Sequence, residues 1–155
     1  MKFYFSIFTI ILFVFGYSSC KEETFYQGHS IYDSVCANCH MEDGTGLKGV
    51  IPPVANSDYL KNNMLDVACH IRYGVEGEIV VNGKTYDQPM AGIPYLTDTE
   101  IANIINYINN AWGNDYGMIP FKEMRDKLKI CAEEEEIKRL KERAERIEYM
   151  ENTEK

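Results

Sequence analysis

Five consecutive residues, Cys36-Ala37-Asn38-Cys39-His40, constrain the fold more than any other feature of the sequence. Their spacing places two thiols within one helical turn, next to an imidazole. Cys-x-x-Cys-His is the signal for covalent attachment of a c-type haem, in which the thiols add to the two vinyl groups of the porphyrin. We therefore expect Cys36 and Cys39 to hold one haem c, with His40 as an axial ligand of its iron.

Two other uses of such a cysteine pair need features that the sequence does not supply. A structural zinc site requires a second pair of ligands at similar spacing, and Cys69-His70 offers a single Cys-His step. A thioredoxin-like redox pair belongs to a βαβ unit, whereas the residues around Cys36 have a helical pattern. The motif therefore favours haem attachment.

The first 24 residues predict export and membrane attachment. A charged start is followed by an apolar run over residues 3–15 and by small residues before Cys20. This order is typical of a signal peptide, here residues 1–19, and the run is short for a retained membrane helix, which needs roughly 20 apolar residues. The segment before Cys20 resembles a bacterial lipobox, so we expect a lipid on Cys20 and a short tether over residues 21–24. The mature chain would then be anchored at the cell envelope, facing the periplasm or the outer surface.

Negative charge is concentrated in one part of the chain. Residues 21–120 contain 5 basic and 13 acidic side chains, whereas residues 121–155 contain 10 basic and 11 acidic ones. An acidic domain argues against nucleic-acid binding and suits a protein partner with a basic docking face. With 45% hydrophobic residues, the 155-residue chain can bury one core.

Residues 96–113 predict a capped helix that faces the core. Thr97 and Glu100 have the spacing of a capping box, placed between two large apolar residues. Isoleucines and then Trp112 recur at helical spacing, and Gly113 is placed to end the helix.

Two further segments precede this helix. Residues 58–73 have the amphipathic pattern of a single helix that includes Met64. Asn82-Gly83, flanked by β-forming residues, predicts a two-residue hairpin turn. The sequence thus favours an all-α fold with a small β-hairpin.

Residues 25–114 resemble class I cytochrome c. Besides the Cys-x-x-Cys-His motif, Gly28 and Tyr32 lie one turn apart on the helix that leads to it. The resemblance implies a class I cytochrome c fold around one covalent haem over residues 25–116, with the first helix crossing the last at those two residues. A stretch with Val-Asn-Gly-x-x-Tyr also resembles a subset of such cytochromes that occur beside respiratory oxidases, nitrite reductases and dehydrogenases.

The resemblance also implies what surrounds the haem. Family members take the sixth iron ligand from a methionine in an irregular segment before the last helix, and Met90 occupies that place. The alternative sixth ligand is His70, which the pattern places within the predicted second helix. A proline carbonyl, from Pro52 or Pro53, is expected to accept a hydrogen bond from His40. Two aromatic side chains are expected near the haem, Tyr86 and Trp112.

Two cysteines and the C-terminal segment remain. Cys69 and Cys131 are an even pair in a chain predicted to be exported, so a disulfide between them is one interpretation. Residues 117–155 are rich in Glu, Lys and Arg with a partial apolar stripe, and they predict a charged amphipathic helix. This tail is either a solvated helix or a helix that docks a partner or a second copy of the chain.

The sequence as a whole predicts an electron carrier and not an enzyme. Iron with both axial positions filled transfers electrons instead of binding substrate, and a methionine ligand raises its reduction potential. The expected partners are redox proteins, such as an oxidase, a reductase or a dehydrogenase. Two alternatives stay open: a haem-bearing subunit that its tail docks into a larger oxidoreductase complex, and a gas sensor or enzyme with an open sixth site.

Overall fold

A computed structural model of the chain describes residues 25–153. The predicted signal peptide, Cys20 and the tether lie outside the described residues. Six helices and four short strands make up the described part. The helices are α1 (Tyr26–Val35), α2 (Ala37–His40), α3 (Asp58–Asn62), α4 (Asp66–Tyr73), α5 (Asp98–Ile108) and α6 (Phe121–Thr153). The strands are β1 (Gly74–Val75), β2 (Ile79–Val81), β3 (Lys84–Tyr86) and β4 (Met90–Ala91).

Helices α1 and α5 cross in close contact because α1 has a glycine at the crossing point. A Cβ atom on Gly28 would overlap the backbone oxygen of Asn103 and lie 2.7 Å from Cβ of Tyr107. One turn later, Tyr32 is 1% exposed, and the centre of its ring lies 5.6 Å from that of Tyr107. Position 28 therefore has room only for glycine, and the crossing predicted at Gly28 and Tyr32 is confirmed.

Helix α5 supplies much of the core and begins as predicted. The backbone N–H of Thr97 donates to Oε2 of Glu100 at 2.7 Å, while the Thr97 hydroxyl oxygen accepts from the Glu100 N–H, so the capping box is confirmed. The helix ends at Ile108, a turn earlier than the spacing through Trp112 indicated. The side-chain amide of Asn114 donates to the Ile108 carbonyl at 2.7 Å and takes the place of the next helical hydrogen bond.

The segment predicted as one helix over residues 58–73 is two helices, so that prediction was wrong. At Asn63 the backbone leaves the helical region, and its side-chain Nδ2 donates to the Tyr59 carbonyl at 2.8 Å. A local hydrogen bond of this kind competes with the helical pattern and ends α3. Met64 consequently lies in the bend between α3 and α4 instead of on a helix.

Two separate strand pairs lie between α4 and α5. Strands β2 and β3 form the predicted hairpin, with left-handed backbone at Asn82 (φ 52°) and Gly83 (φ 72°), as this turn requires. Strand β1 follows α4 directly and pairs antiparallel with β4, which places Val75 opposite Met90. The residues around Met90 therefore form a short strand, where an irregular segment was expected.

The C-terminal tail is one helix of 33 residues, α6, and only its first three turns pack on the rest of the protein. Met124, Leu128 and Cys131 are buried in those turns. From residue 132 to residue 153 nearly every side chain is exposed. None of the helices within residues 25–153 is long and apolar enough to cross a membrane.

A covalent and an ionic contact fasten α6 to α4. A disulfide joins Cys131 to Cys69, with 5.6 Å between their Cα atoms. One turn before it on α6, Lys127 Nζ lies 2.5 Å from a carboxylate oxygen of Asp66 at the start of α4. The two cysteines left over by the haem-attachment motif are thus joined in the structure.

Candidate haem-binding site

The Cys-x-x-Cys-His motif lies where α1 passes into the single turn of α2. Cys36 is the last residue before α2, and the backbone N–H of His40 donates to its carbonyl at 2.9 Å. Both Cys36 and Cys39 are free thiols, the first partly buried and the second exposed. The structure therefore presents two thiols and one imidazole on a single turn, as covalent attachment requires.

The environment of Cys36 argues against a thiol redox pair. Burial, together with the neighbouring Cys39, raises the pKa of the Cys36 thiol to about 12. Redox-active Cys-x-x-Cys motifs lower the pKa of one thiol instead, because the thiolate is the nucleophile. The Cys36 thiol therefore lacks the lowered pKa that is typical of a redox-active pair.

His40 is oriented by a backbone carbonyl. Its Nδ1 donates to the carbonyl oxygen of Pro52 across 3.1 Å, and a carbonyl can only accept, so the proton is on Nδ1. Burial lowers the pKa of the His40 imidazole, although the bond to Pro52 acts in the opposite direction. Burial thus favours the neutral imidazole, and in the tautomer with the proton on Nδ1 the lone pair of Nε2 is left to bind a metal. Of the two prolines considered from sequence, Pro52 makes this contact, and no described contact joins Pro53 to His40.

The loop from His40 to Pro52 folds back through a glycine. The backbone N–H of Gly46 donates to the His40 carbonyl at 2.9 Å. A Cβ atom on Gly46 would lie 2.5 Å from the carbonyl oxygen of Ile51 and 2.6 Å from that of Pro52. Its φ of 66° also favours glycine. This glycine lets the Pro52 carbonyl come within hydrogen-bonding distance of the imidazole.

Two aromatic side chains hold the start of that loop. The Tyr32 hydroxyl donates to the Met41 carbonyl at 2.8 Å, and the Trp112 indole N–H donates to the Glu42 carbonyl at 3.0 Å. The two rings lie 5.0 Å apart, and the Trp112 ring leaves no space for a side chain at Gly44. Burial raises the pKa of the Tyr32 phenol, which keeps the hydroxyl a donor. Trp112 was expected near the haem, but its role in holding this loop was not predicted.

The position of Met90 depends on contacts with α4. Gly74 ends that helix with a φ of 90°, and the chain turns into β1, which pairs with β4. The backbone N–H of Ile93, two residues after β4, donates to the Ile71 carbonyl at 2.7 Å, which joins the segment after β4 to α4 as well. Met90 is partly buried and packs on the edge of the core cluster. The strand pairing thus fixes the backbone of Met90, and its side chain is neither fully buried nor fully exposed.

Four further residues were predicted as site residues, and each has a defined place in the fold. Tyr86 is buried in β3 opposite Ile79, and its proximity to the haem stays a prediction. His70 lies on α4 with its ring 5.9 Å from that of Tyr59, and burial lowers its pKa. Cys69 and Cys131 lie at the junction of α4 and α6 and share no described contact with the attachment motif.

The donor set fits a covalent haem. Two free thiols, an imidazole with one ring nitrogen not engaged by the Pro52 carbonyl, and the thioether of a partly buried methionine are the ligand types that c-type haem iron and its porphyrin require. Leu47 and Val50, in the loop after His40, are 49% and 44% exposed. Such apolar surface suits contact with a porphyrin ring.

Comparison with known proteins agrees with this reading. Residues 26–112 match the family model for cytochrome c. The chain belongs to the cytochrome c family. A relative of this cytochrome, cytochrome c-552 of Thermus thermophilus, is 34% identical over 99 residues, which cover 61% of this chain and 75% of that protein. This cytochrome carries one covalently bound haem c with its iron, and its relatives place it among proteins of electron transfer.

Two further relatives of this cytochrome are parts of larger proteins. The cytochrome c subunit of the quinone alcohol dehydrogenase of Gluconobacter oxydans is 32% identical over 91 residues, which cover 57% of this chain and 19% of that subunit. The cytochrome subunit of the fructose dehydrogenase of Gluconobacter japonicus is 34% identical over 93 residues, 56% of this chain and 19% of that subunit. This cytochrome therefore spans about a fifth of each of those two subunits.

Proposed function

We propose that this cytochrome is a one-electron carrier whose haem is bound covalently by Cys36 and Cys39 and whose iron is ligated by His40 and Met90. The observation that carries the proposal is the hydrogen bond from His40 Nδ1 to the Pro52 carbonyl, because it fixes the tautomer that leaves Nε2 for iron. The partly exposed Met90 thioether, held on a short strand, is the second ligand.

Each protein group has a defined task in this proposal. The haem iron supplies the couple between the ferric and ferrous states. The Pro52 carbonyl makes the imidazole of His40 a stronger donor, and it fixes the orientation of the ring. The Met90 thioether favours ferrous iron and raises the reduction potential. With both ligands in place no position is left for substrate, so the chain relays electrons without turning over a substrate.

The visible absorption spectrum of the haem-loaded protein tests the ligand assignment. We expect the oxidised protein to show the weak long-wavelength band of a sulfur–iron bond, and Met90→Ala to lose it and to lower the reduction potential. Met118→Ala is the matched control, because Met118 is a methionine that is 64% exposed and lies in the segment between α5 and α6. Binding of carbon monoxide by the reduced wild-type protein at a stoichiometry of one would contradict the proposal and would indicate a sensor or enzyme with an open site.

We infer that the electron partners are redox proteins that approach with a basic surface. The support is the excess of acidic residues in the cytochrome domain and the dehydrogenase subunits among the relatives. A second candidate, a subunit of a larger oxidoreductase complex, is favoured by those same relatives. Salt separates the two: the rate of electron transfer to a diffusing partner falls with ionic strength, whereas a subunit stays bound during purification in high salt.

We further propose that the mature chain is exported and anchored at the cell envelope by a lipid on Cys20. The support is the order of charged, apolar and small residues in residues 1–19. Cys20→Ala should move the haem protein from the membrane fraction to the soluble fraction and abolish incorporation of a labelled fatty acid. Unchanged membrane association without label would contradict lipidation.

A further inference from the structure

The outer part of α6 has an apolar stripe with no partner among the described residues. We call it the outer stripe; it consists of Ile130, Ile137, Leu140, Ala144 and Ile147. The four large side chains among these are between 43% and 56% exposed. So much exposed apolar surface on one helix face is typical of an interaction site.

The outer stripe points away from the domain that α6 packs on. Cys131 faces the domain, and Leu140 follows it by nine residues. At about 100° per residue, nine steps rotate the helix by about 180° from one face to the other. The globular domain therefore leaves this face open to a second helix along its full length.

The spacing of the stripe is that of a coiled coil. Ile130, Ile137 and Ala144 recur every seven residues, the a positions of a heptad, and Leu140 and Ile147 follow at d. Within a parallel coil, isoleucine at a with leucine at d, as at Ile137 and Leu140, favours two strands. The one polar residue in the seam is Glu133 at d, so the contact is strongest beyond it.

The charges that flank the stripe identify the second helix. In a parallel two-stranded coil, the residue at g of one chain faces the residue at e five positions later in the other chain. With two copies of α6 in register, every such pair joins opposite charges. The pairs are Lys129 with Glu134, Glu136 with Lys141, and Arg143 with Glu148.

We propose that two copies of this cytochrome associate through their outer stripes in a parallel, in-register coiled coil. The coil covers residues 130–150. Both haem domains then lie at the same end of the coil, each on the outer side of its own helix. The coil has about three heptads, with alanine at one a position and glutamate at one d position, so the association depends on concentration.

Sedimentation velocity of the haem-loaded chain from residue 21 onward, over a range of concentrations, tests the dimer. We expect a shift from monomer to dimer with rising concentration, and a Leu140→Lys variant that stays monomeric. Glu142→Gln is the matched control: it makes the same change of charge at an exposed position outside the seam and should keep the dimer. A wild-type chain that is monomeric at every concentration would overturn the proposal and leave the stripe to a different protein.

A charge exchange tests the parallel register. Arg143→Glu should weaken the dimer on the order of tenfold, because two symmetric attractions become repulsions. The double variant R143E/E148R should restore it. Residues five apart do not face each other within one helix. Glu148→Arg alone is the control: it gains Glu145 and Glu151 as partners within its own helix, so a weaker dimer in that variant, restored in the double variant, reports contact between chains. In an antiparallel pair the double variant would be as weak as the single one or weaker, and that result would overturn the parallel arrangement.

Discussion

The two sides of the proposed iron site are held by different parts of the chain. On the His40 side the ligand directly follows Cys39, a proposed attachment residue, and its loop is held both by Pro52, 12 residues away, and by Trp112, which bonds to Glu42 across 70 residues. On the Met90 side the strand is held by α4, and α4 is fastened to α6 by a disulfide that spans 62 residues. A ligand next to a covalent attachment point stays near the haem when the fold loosens, whereas Met90 depends on the packing of separate segments, so loosening should release Met90 before His40.

Removing the disulfide should have the largest effect. The chain-entropy model gives a loss of about 4 kcal/mol of folding stability for Cys69→Ser with Cys131→Ser, given the separation of 62 residues. Denaturant unfolding followed by haem absorption measures it, and the sulfur–iron band should disappear at lower denaturant than the bands that report His40. Loss of both signals at the same denaturant concentration would contradict the prediction that Met90 is released before His40.

Gly46→Ala tests the loop contacts that position His40. The new Cβ atom would collide with two carbonyl oxygens and meet an unfavourable φ, so we expect a loss of about 3 kcal/mol and a changed reduction potential. Gly49→Ala is the control: its φ is also positive, at 85°, but the only atom near the new Cβ is the flexible end of Lys84 at 3.4 Å. Equal effects of the two substitutions would show that the Pro52 carbonyl does not position His40.

Gly92→Ala tests the contact between α4 and the segment that carries Met90. The added Cβ atom would lie 2.6 Å from the carbonyl carbon of Tyr73 and 2.7 Å from the carbonyl oxygen of Arg72. Pushing β4 away from α4 should cost about 2 kcal/mol and remove the sulfur–iron band while the covalent haem stays. Gly77→Ala is the control for the collision: its φ of 84° is strained for alanine, but nothing lies within 4 Å of a Cβ there, so the sulfur–iron band should stay. An intact band in Gly92→Ala would mean that α4 does not position Met90.

Arg72→Ala should have the smallest effect. The guanidinium donates to the Pro94 carbonyl at 3.2 Å and pairs with Asp98 at 2.7 Å, which links α4 to the segment after Met90 and to the start of α5. We expect a loss of about 1 kcal/mol, with a sulfur–iron band that weakens at lower temperature than in the wild type. Arg72→Lys keeps the charge but loses the forked geometry of the guanidinium. Its stability, and the temperature at which its sulfur–iron band weakens, should therefore lie between those of Arg72→Ala and the wild type. If Arg72→Ala were indistinguishable from the wild type, Arg72 would not help to position Met90, and the backbone contacts of β4 alone would do so.

Features set by a few neighbouring residues could be predicted from the sequence. The capping box needs only Thr97 and Glu100, and the hairpin turn needs only Asn82 and Gly83. The attachment motif is equally local, because one turn of helix contains both thiols and the imidazole. In each case the chemistry of the residues and their spacing leave one favoured backbone geometry.

Features that depend on a choice among partners could not be predicted. Asn63 and Asn114 end helices by donating to particular carbonyls, and the sequence does not show which asparagine takes which carbonyl, since Asn110 also donates to one in the last turn of α5. The pairing of β1 with β4 joins residues about 16 apart through backbone groups, which leave no pattern in the sequence. The hydrogen bonds from Tyr32 and Trp112 to the loop after His40 had a weak signal, since a buried hydroxyl or indole needs an acceptor.

The bond between Cys69 and Cys131 also has a consequence for maturation. Thioether formation consumes reduced sulfur at Cys36 and Cys39, whereas a disulfide forms by exchange between any thiolates that meet. Once Cys69 and Cys131 are joined, the attachment cysteines are the only thiols left among the described residues. The disulfide between α4 and α6 thus protects the attachment motif from mispairing. A chain that lacks either Cys69 or Cys131 keeps one spare thiol and should yield less holoprotein, even where its folded domain is stable.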